Sequence, residues 1–146
     1  PWIDTDRSIE EYYTLKHGSR YNCKHIVKQH GWEYFRKLES HVFNSLSDMK
    51  QGVISTGGSS FFESKHNNAF KNPHHIIYLA CDIDELHQRW GKHTPPWIIK
   101  SINHPLSQQA LHDRDQCYKK LADHIIETTQ CGIETICQNI LEKMTP

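Results

Sequence analysis

Four stretches of this chain carry side chains that could do chemistry on a small polar molecule. Asp4-Thr5-Asp6 puts two carboxylates two residues apart, and Arg36 and Glu39 stand three apart in Phe35-Arg36-Lys37-Leu38-Glu39. Ser55-Thr56-Gly57-Gly58-Ser59 follows the apolar run Gly52-Val53-Ile54, and Arg114 precedes Tyr118 in Arg114-Asp115-Gln116-Cys117-Tyr118. A carboxylate beside a hydroxyl can orient it and take its proton. A guanidinium fork binds a carboxylate bidentately, which lysine cannot do. Paired glycines let backbone N–H groups come close to a ligand, because no side chain intervenes. Together these suit a polar, partly anionic small molecule. Taken alone, Gly57-Gly58 fits a plain strand-to-turn connection equally well; the ordered set favours a site.

The elements that must position these residues are legible from periodicity. Pro1-Trp2-Ile3 reads as the end of a strand, with Asp4 and Asp6 at its exit. Ser8 is the expected cap of a helix through Ile9, Tyr12, Tyr13 and Leu15, ending at Gly18. Asn22 caps a second helix with Gly31 as its stop. Trp32, Phe35, Leu38, Val42, Phe43 and Leu46 predict a third with a buried stripe, on which Arg36 and Glu39 are neighbours. A buried strand over Gly52–Thr56 delivers the glycine loop. Then come a short helix over Ser64–Phe70, a buried strand over His75–Leu79 and a helix opened by Asp82 and running to Arg89. Residues 91–101, with Pro95-Pro96, read as a lid-like loop. A helix over Pro105–Leu121, a strand over Asp123–Thr128 and a final helix with Ile133, Ile136, Ile140 and Leu141 complete the chain. Strands alternating with helices predict an α/β fold in three layers, a parallel sheet flanked by helices. In such sheets ligands bind beyond the carboxyl ends of the strands, where Asp4, Asp6, Gly57 and Gly58 are expected.

Composition narrows the class of partner. The 146 residues fit one domain, and the formal net charge is zero with neutral histidines, so no electrostatic footprint for nucleic acid or an acidic membrane is expected. No apolar run is long enough for a bilayer, and no leader peptide is expected. Cys23, Cys81, Cys117, Cys131 and Cys137 form no CxxC pair; their odd number and scatter predict reduced thiols in a cytoplasmic protein.

The motifs, in this order, resemble the shikimate kinase family. Its pattern runs D-x-D after a strand, G-E-x-x-F-R-x-x-E on a helix, a strand ending in T-G-G-G, a lid, then R-x-x-x-Y with A-D shortly after. Here these positions hold Asp4-Thr5-Asp6, Gly31-Trp32-Glu33-Tyr34-Phe35-Arg36-Lys37-Leu38-Glu39, Thr56-Gly57-Gly58, and Arg114 with Tyr118, Ala122 and Asp123. The resemblance spans nearly the whole chain. It implies a P-loop-kinase-like domain over 1–146 with a five-stranded parallel sheet. It also implies transfer of the ATP γ-phosphoryl group to the 3-hydroxyl of shikimate with Mg²⁺. Asp6 matches the residue that binds the substrate hydroxyls and takes the proton, and Asp4 the one near Mg²⁺. Arg36 and Arg114 match the arginines on the shikimate carboxylate, and Gly57 and Gly58 the backbone donors to the substrate. Arg89 matches an arginine lying against adenine. A monomer acting on a small molecule is expected.

Three departures qualify that pattern. No G-x-x-x-x-G-K-[ST] motif occurs, although phosphate binding in this fold rests on it. In the family it lies on the first, central strand, ahead of the D-x-D. The expectation is therefore an N-terminally incomplete domain, with that strand absent from this sequence. Ser59 stands at the third glycine of T-G-G-G. In the lid, Thr94-Pro95-Pro96-Trp97 has no arginine, and Lys92 or His93 would have to supply charge. The alternative readings are a non-catalytic binding domain of the same kind, or a kinase of another small hydroxylated acid. Histidine clusters such as His74-His75 or His25 with His30 fit solvated or helix-end positions better than a metal site, lacking H-E-x-x-H spacing. Trp32, Phe35 and Phe43 are expected in the core, Glu39 as the ion-pair partner that orients Arg36, and Cys117 as a buried thiol. Trp97 would either cover a ligand or pack the loop.

Overall fold

A computed structural model describes residues 1–58, 60, 75–91, 95, 98 and 105–145. The expected Ser64–Phe70 helix, Ser59 and most of the 91–101 lid lie outside those residues. The chain divides into two compact units, Pro1–Pro73 and His74–Pro146.

In the first unit β1 (Trp2–Asp4) pairs in parallel with β2 (Val53–Ser55), in the register Trp2↔Val53, Ile3↔Ile54, Asp4↔Ser55. Parallel neighbours need a crossover, and two helices supply it, α1 (Thr5–His17) and α2 (Cys23–Leu46). The cap of α1 is Asp4 rather than Ser8. Asp4 Oδ1 accepts from the backbone N–H of Asp6 (2.9 Å) and Arg7 (3.2 Å), and Ser8 Oγ donates back to the Asp4 carbonyl. A carboxylate at the strand exit reaches the orphan N–H groups first. Gly18 ends α1 in the left-handed region at φ 70°. Asn22 caps α2 through the His25 N–H, as expected.

Gly31 divides α2 into two helical segments, as expected of a stop at that position. Its backbone stands at φ 83°, ψ 169°, a geometry that redirects the chain before helix resumes at Trp32. The core joins Ile9 and Tyr13 of α1 to Ile26, Phe35, Leu38 and Val42 of α2; each such aliphatic side chain contributes roughly 1.5–3 kcal/mol by leaving water. Leu15 is exposed instead, as is Val53 in the strand expected to be buried.

In the second unit β3 (Ile77–Ala80) pairs in parallel with β4 (His124–Glu127), from Ile77↔His124 to Ala80↔Glu127. Around them stand α3 (Ile83–Trp90), α4 (Pro105–Leu121) and α5 (Ile133–Met144). Pro105 takes the first helical position, where a missing N–H costs nothing. Thr128 prolongs the pairing beyond the strand, its N–H and Oγ both donating to the Ala80 carbonyl (2.8 and 2.7 Å). Leu79, Ile125, Ile133 and Leu141 are exposed. On α5, Ile136 and Ile140 are half-buried, while Ile133 and Leu141 are exposed. No described helix is long and apolar enough to cross a membrane, and all five cysteines are free.

Candidate functional site

The exits of β1 and β2 lie side by side, because Asp4 is registered with Ser55. This brings the first turn of α1 against the glycine loop. A methyl group at Gly57 would come within 2.8 Å of Asp6 Oδ1, and within 3.4 Å of Ser60 Oγ. Gly57 is therefore glycine by crowding, whereas a methyl group at Gly58 would meet nothing within 4 Å.

Glu39, 1 % exposed, joins this loop to α2. Its Oε2 accepts from Arg36 Nη1 at 2.7 Å, one helical turn away, and its Oε1 accepts from Ser60 Oγ at 2.9 Å. Ser60 is itself buried, and its N–H donates to the Gly57 carbonyl at 3.1 Å. A buried carboxylate is tolerable only when paired and hydrogen-bonded. The Arg36–Glu39 pair follows from helical spacing; Ser60 escaped notice because a lone serine after a glycine loop carries no periodic signal. The Arg36 guanidinium carbon also lies 5.3 Å from the Trp32 ring centroid and 5.9 Å from that of Phe35. Phe35 and Phe43 are buried as expected, but Trp32 is 45 % exposed, because the break at Gly31 places it on the rim and not in the core.

Burial, and then the charges of Asp4, Glu39 and Glu10, raise the Asp6 carboxyl above its ordinary value. Burial, followed by the charges of Asp6 and Glu10, also holds the Cys23 thiol well above its usual range. Cys23 Sγ lies 3.6 Å from the Asp6 carbonyl, and its N–H donates to Glu10 Oε1.

The other two arginines expected in the site, Arg89 and Arg114, belong to the second unit. Arg114 Nη1 lies 3.4 Å from the Tyr118 hydroxyl, one turn along α4. The Tyr118 ring sits 5.4 Å from that of Tyr78, whose hydroxyl donates to Asp115 Oδ1. Arg89 donates to the Thr128 hydroxyl and carbonyl and to Glu85. Glu85 Oε2 in turn accepts from the N–H of Gln130, which has φ 54°. An open cavity of about 610 Å³ beside them is lined by Asp82, Glu85, Gln88, Arg89, Thr129 and Gln130, among others. Cys117 is half-buried.

Among the described residues no group of three or more His, Cys, Asp or Glu could hold a metal ion. His17, at the end of α1, and His30 are exposed, as expected of solvated or helix-end histidines; His30 Nε2 meets the Tyr13 hydroxyl at 2.8 Å, and His17 Nε2 the Tyr34 hydroxyl at 2.7 Å.

Comparison with known proteins bears on the family and the fold. A sequence-family model described as shikimate kinase matches residues 1–145. A shikimate kinase of Staphylococcus aureus is 30 % identical over 140 residues, covering 92 % of this chain and 76 % of that protein. One of Francisella tularensis is 27 % identical over 141 residues, covering 95 % and 77 %. Among solved structures, shikimate kinase from Acinetobacter baumannii in complex with shikimate superposes with a TM-score of 0.80 at 25 % identity, over 98 % of this chain and 77 % of that one. The Aquifex aeolicus enzyme superposes with a TM-score of 0.78 at 23 % identity, over 99 % and 80 %. The α/β fold of parallel strands flanked by helices is thus that of the P-loop-type kinases, and the chain belongs to the shikimate kinase family.

Proposed function

We propose that this chain is a shikimate-kinase-like phosphotransferase that phosphorylates the 3-hydroxyl of shikimate at the expense of ATP. The observation that carries the reading is the cluster at the paired strand exits: Asp6 against Gly57, and Gly57 linked through Ser60 and Glu39 to Arg36. In this reading Asp6 orients the substrate hydroxyl and takes its proton. Its raised affinity for a proton makes it a better base than an ordinary aspartate. Arg36 and Arg114 bind the substrate carboxylate, which selects an acid over a neutral polyol. Gly57 and Gly58 offer backbone donors to the substrate.

The nucleotide and its metal fit the residues present. Mg²⁺ typically takes only one or two protein carboxylates and keeps water and phosphate oxygens for the rest. Asp4 is the residue proposed to stand near it, and the carboxylates of Asp4, Glu10 and Glu39 that burden Asp6 make this corner favourable to a cation. When bound, the ion neutralises charge on the transferring phosphoryl group. Arg89, held in place by Thr128 and Glu85 beside the open cavity, is proposed to lie against the adenine. The protein is proposed to act in the cytoplasm as a monomer, without nucleic-acid or membrane partners.

A coupled ADP-release assay on the full-length protein tests the reading: release should depend on shikimate and fall by about 10²-fold or more in Asp6→Asn. Calorimetry separates the rival. Shikimate binding without ADP release identifies a non-catalytic binding domain, and no binding in wild type rejects both.

A further inference from the structure

We infer that Trp32 is a positioning residue for Arg36, its indole face holding the guanidinium in the plane that meets a substrate carboxylate. The inference rests on the proposed role of Arg36 and extends it to a residue outside the pattern of matched site positions. Glu39 grips the guanidinium at one nitrogen, 2.7 Å from Oε2. A bidentate fork works only if the plane of the guanidinium is set. The rings of Trp32 and Phe35 set it. Their centroids lie 5.3 and 5.9 Å from the guanidinium carbon, inside the range of cation–π attraction, for which indole is the strongest aromatic partner. The two rings stand edge to face, 5.9 Å apart at 87°, so they form a corner and not a flat wall.

The backbone is arranged for this contact. Gly31 breaks α2 at φ 83°, and the resumed helix puts Trp32 one turn ahead of Arg36 on the same face. Phe35 is buried and serves the core, while Trp32 remains 45 % exposed. The Arg36 side chain is 23 % exposed between them, sheltered yet reachable. An indole on the rim, against a cation that is to meet an anion, does more for the cation's orientation than for the core.

The test uses Trp32→Leu and Trp32→Phe in the full-length protein. The first readout needs no substrate. The Arg36 side-chain N–H resonance, assigned by its loss in Arg36→Lys, should move toward its solvated position in Trp32→Leu and only part-way in Trp32→Phe. The second is shikimate affinity. Trp32→Leu should weaken it about three- to tenfold, with kcat within about twofold, and Trp32→Phe should recover most of the loss. Binding of the uncharged methyl ester of shikimate should be unaffected by either change. An unmoved Arg36 resonance overturns the inference, as does equal weakening for acid and ester, which marks a packing role. If the resonance moves in a protein that binds no shikimate, the clamp stands and the substrate assignment fails.

Discussion

Asp6 sets chemistry against stability. Its carboxyl is raised by burial first, and then by Asp4, Glu39 and Glu10. A raised carboxyl binds more protons folded than unfolded, so its contribution is favourable at low pH and is lost as pH rises through the folded value. At neutral pH the ionised group therefore costs stability. Asp6→Asn should raise the melting temperature by a few degrees while lowering kcat by about 10²-fold or more, measured by calorimetry and by ADP release. The same sign governs rate. The acid limb of the kcat/KM profile should lie above the ordinary aspartate range, and Glu10→Gln, which removes one of the raising charges, should move it to lower pH. At Gly57 the side-chain limit is spatial: Gly57→Ala should raise the KM for shikimate severalfold by displacing Asp6, while Gly58→Ala, with open space around it, should show a much smaller change.

The elements owe their positions to a few backbone choices. Parallel pairing of β1 with β2 aligns Asp4 with Ser55, so the cap of α1 and the glycine loop emerge together. Asp4→Ala removes the hydrogen bonds to the N–H groups of Asp6 and Arg7 and should cost about 1 kcal/mol in urea unfolding. Gly31 decides where the second half of α2 points. An added Cβ there would meet nothing within 4 Å, so the requirement is conformational and not steric. Gly31→Ala should cost about 1–3 kcal/mol, read from the urea midpoint, because an L side chain disfavours φ 83°. Glycine and asparagine made the boundaries near 18, 22 and 31 legible in the sequence. The two helices read on either side of Gly31 are the two segments of α2 that meet at its break. The cap of α1 was misplaced at Ser8 because Asp and Ser both cap well, and reach decides between them.

At the scale of the whole molecule, affinity for an acidic substrate should appear as stability. A ligand that binds only the folded state stabilises it by about 2.7 kcal/mol at a hundredfold excess over its dissociation constant. Shikimate at such excess should raise the melting temperature of the wild-type full-length protein, and Arg114→Ala should abolish the shift. What the sequence by itself determined was chemistry and order: the carboxylate pair, the arginines, the glycine loop, the alternation of strand and helix, and with them the family. These are local in the chain, and periodicity or motif spacing reports them. Only the tertiary structure decided which side chains meet. It put Ser60 on Glu39 and the edge of Asp6 on Gly57, pairs 21 and 51 positions apart. It also turned Trp32 out of the core and left Val53 exposed where its apolar character predicted burial. The reason is physical: hydropathy states what a side chain gains by leaving water, but whether a covering surface exists depends on residues brought near by the fold.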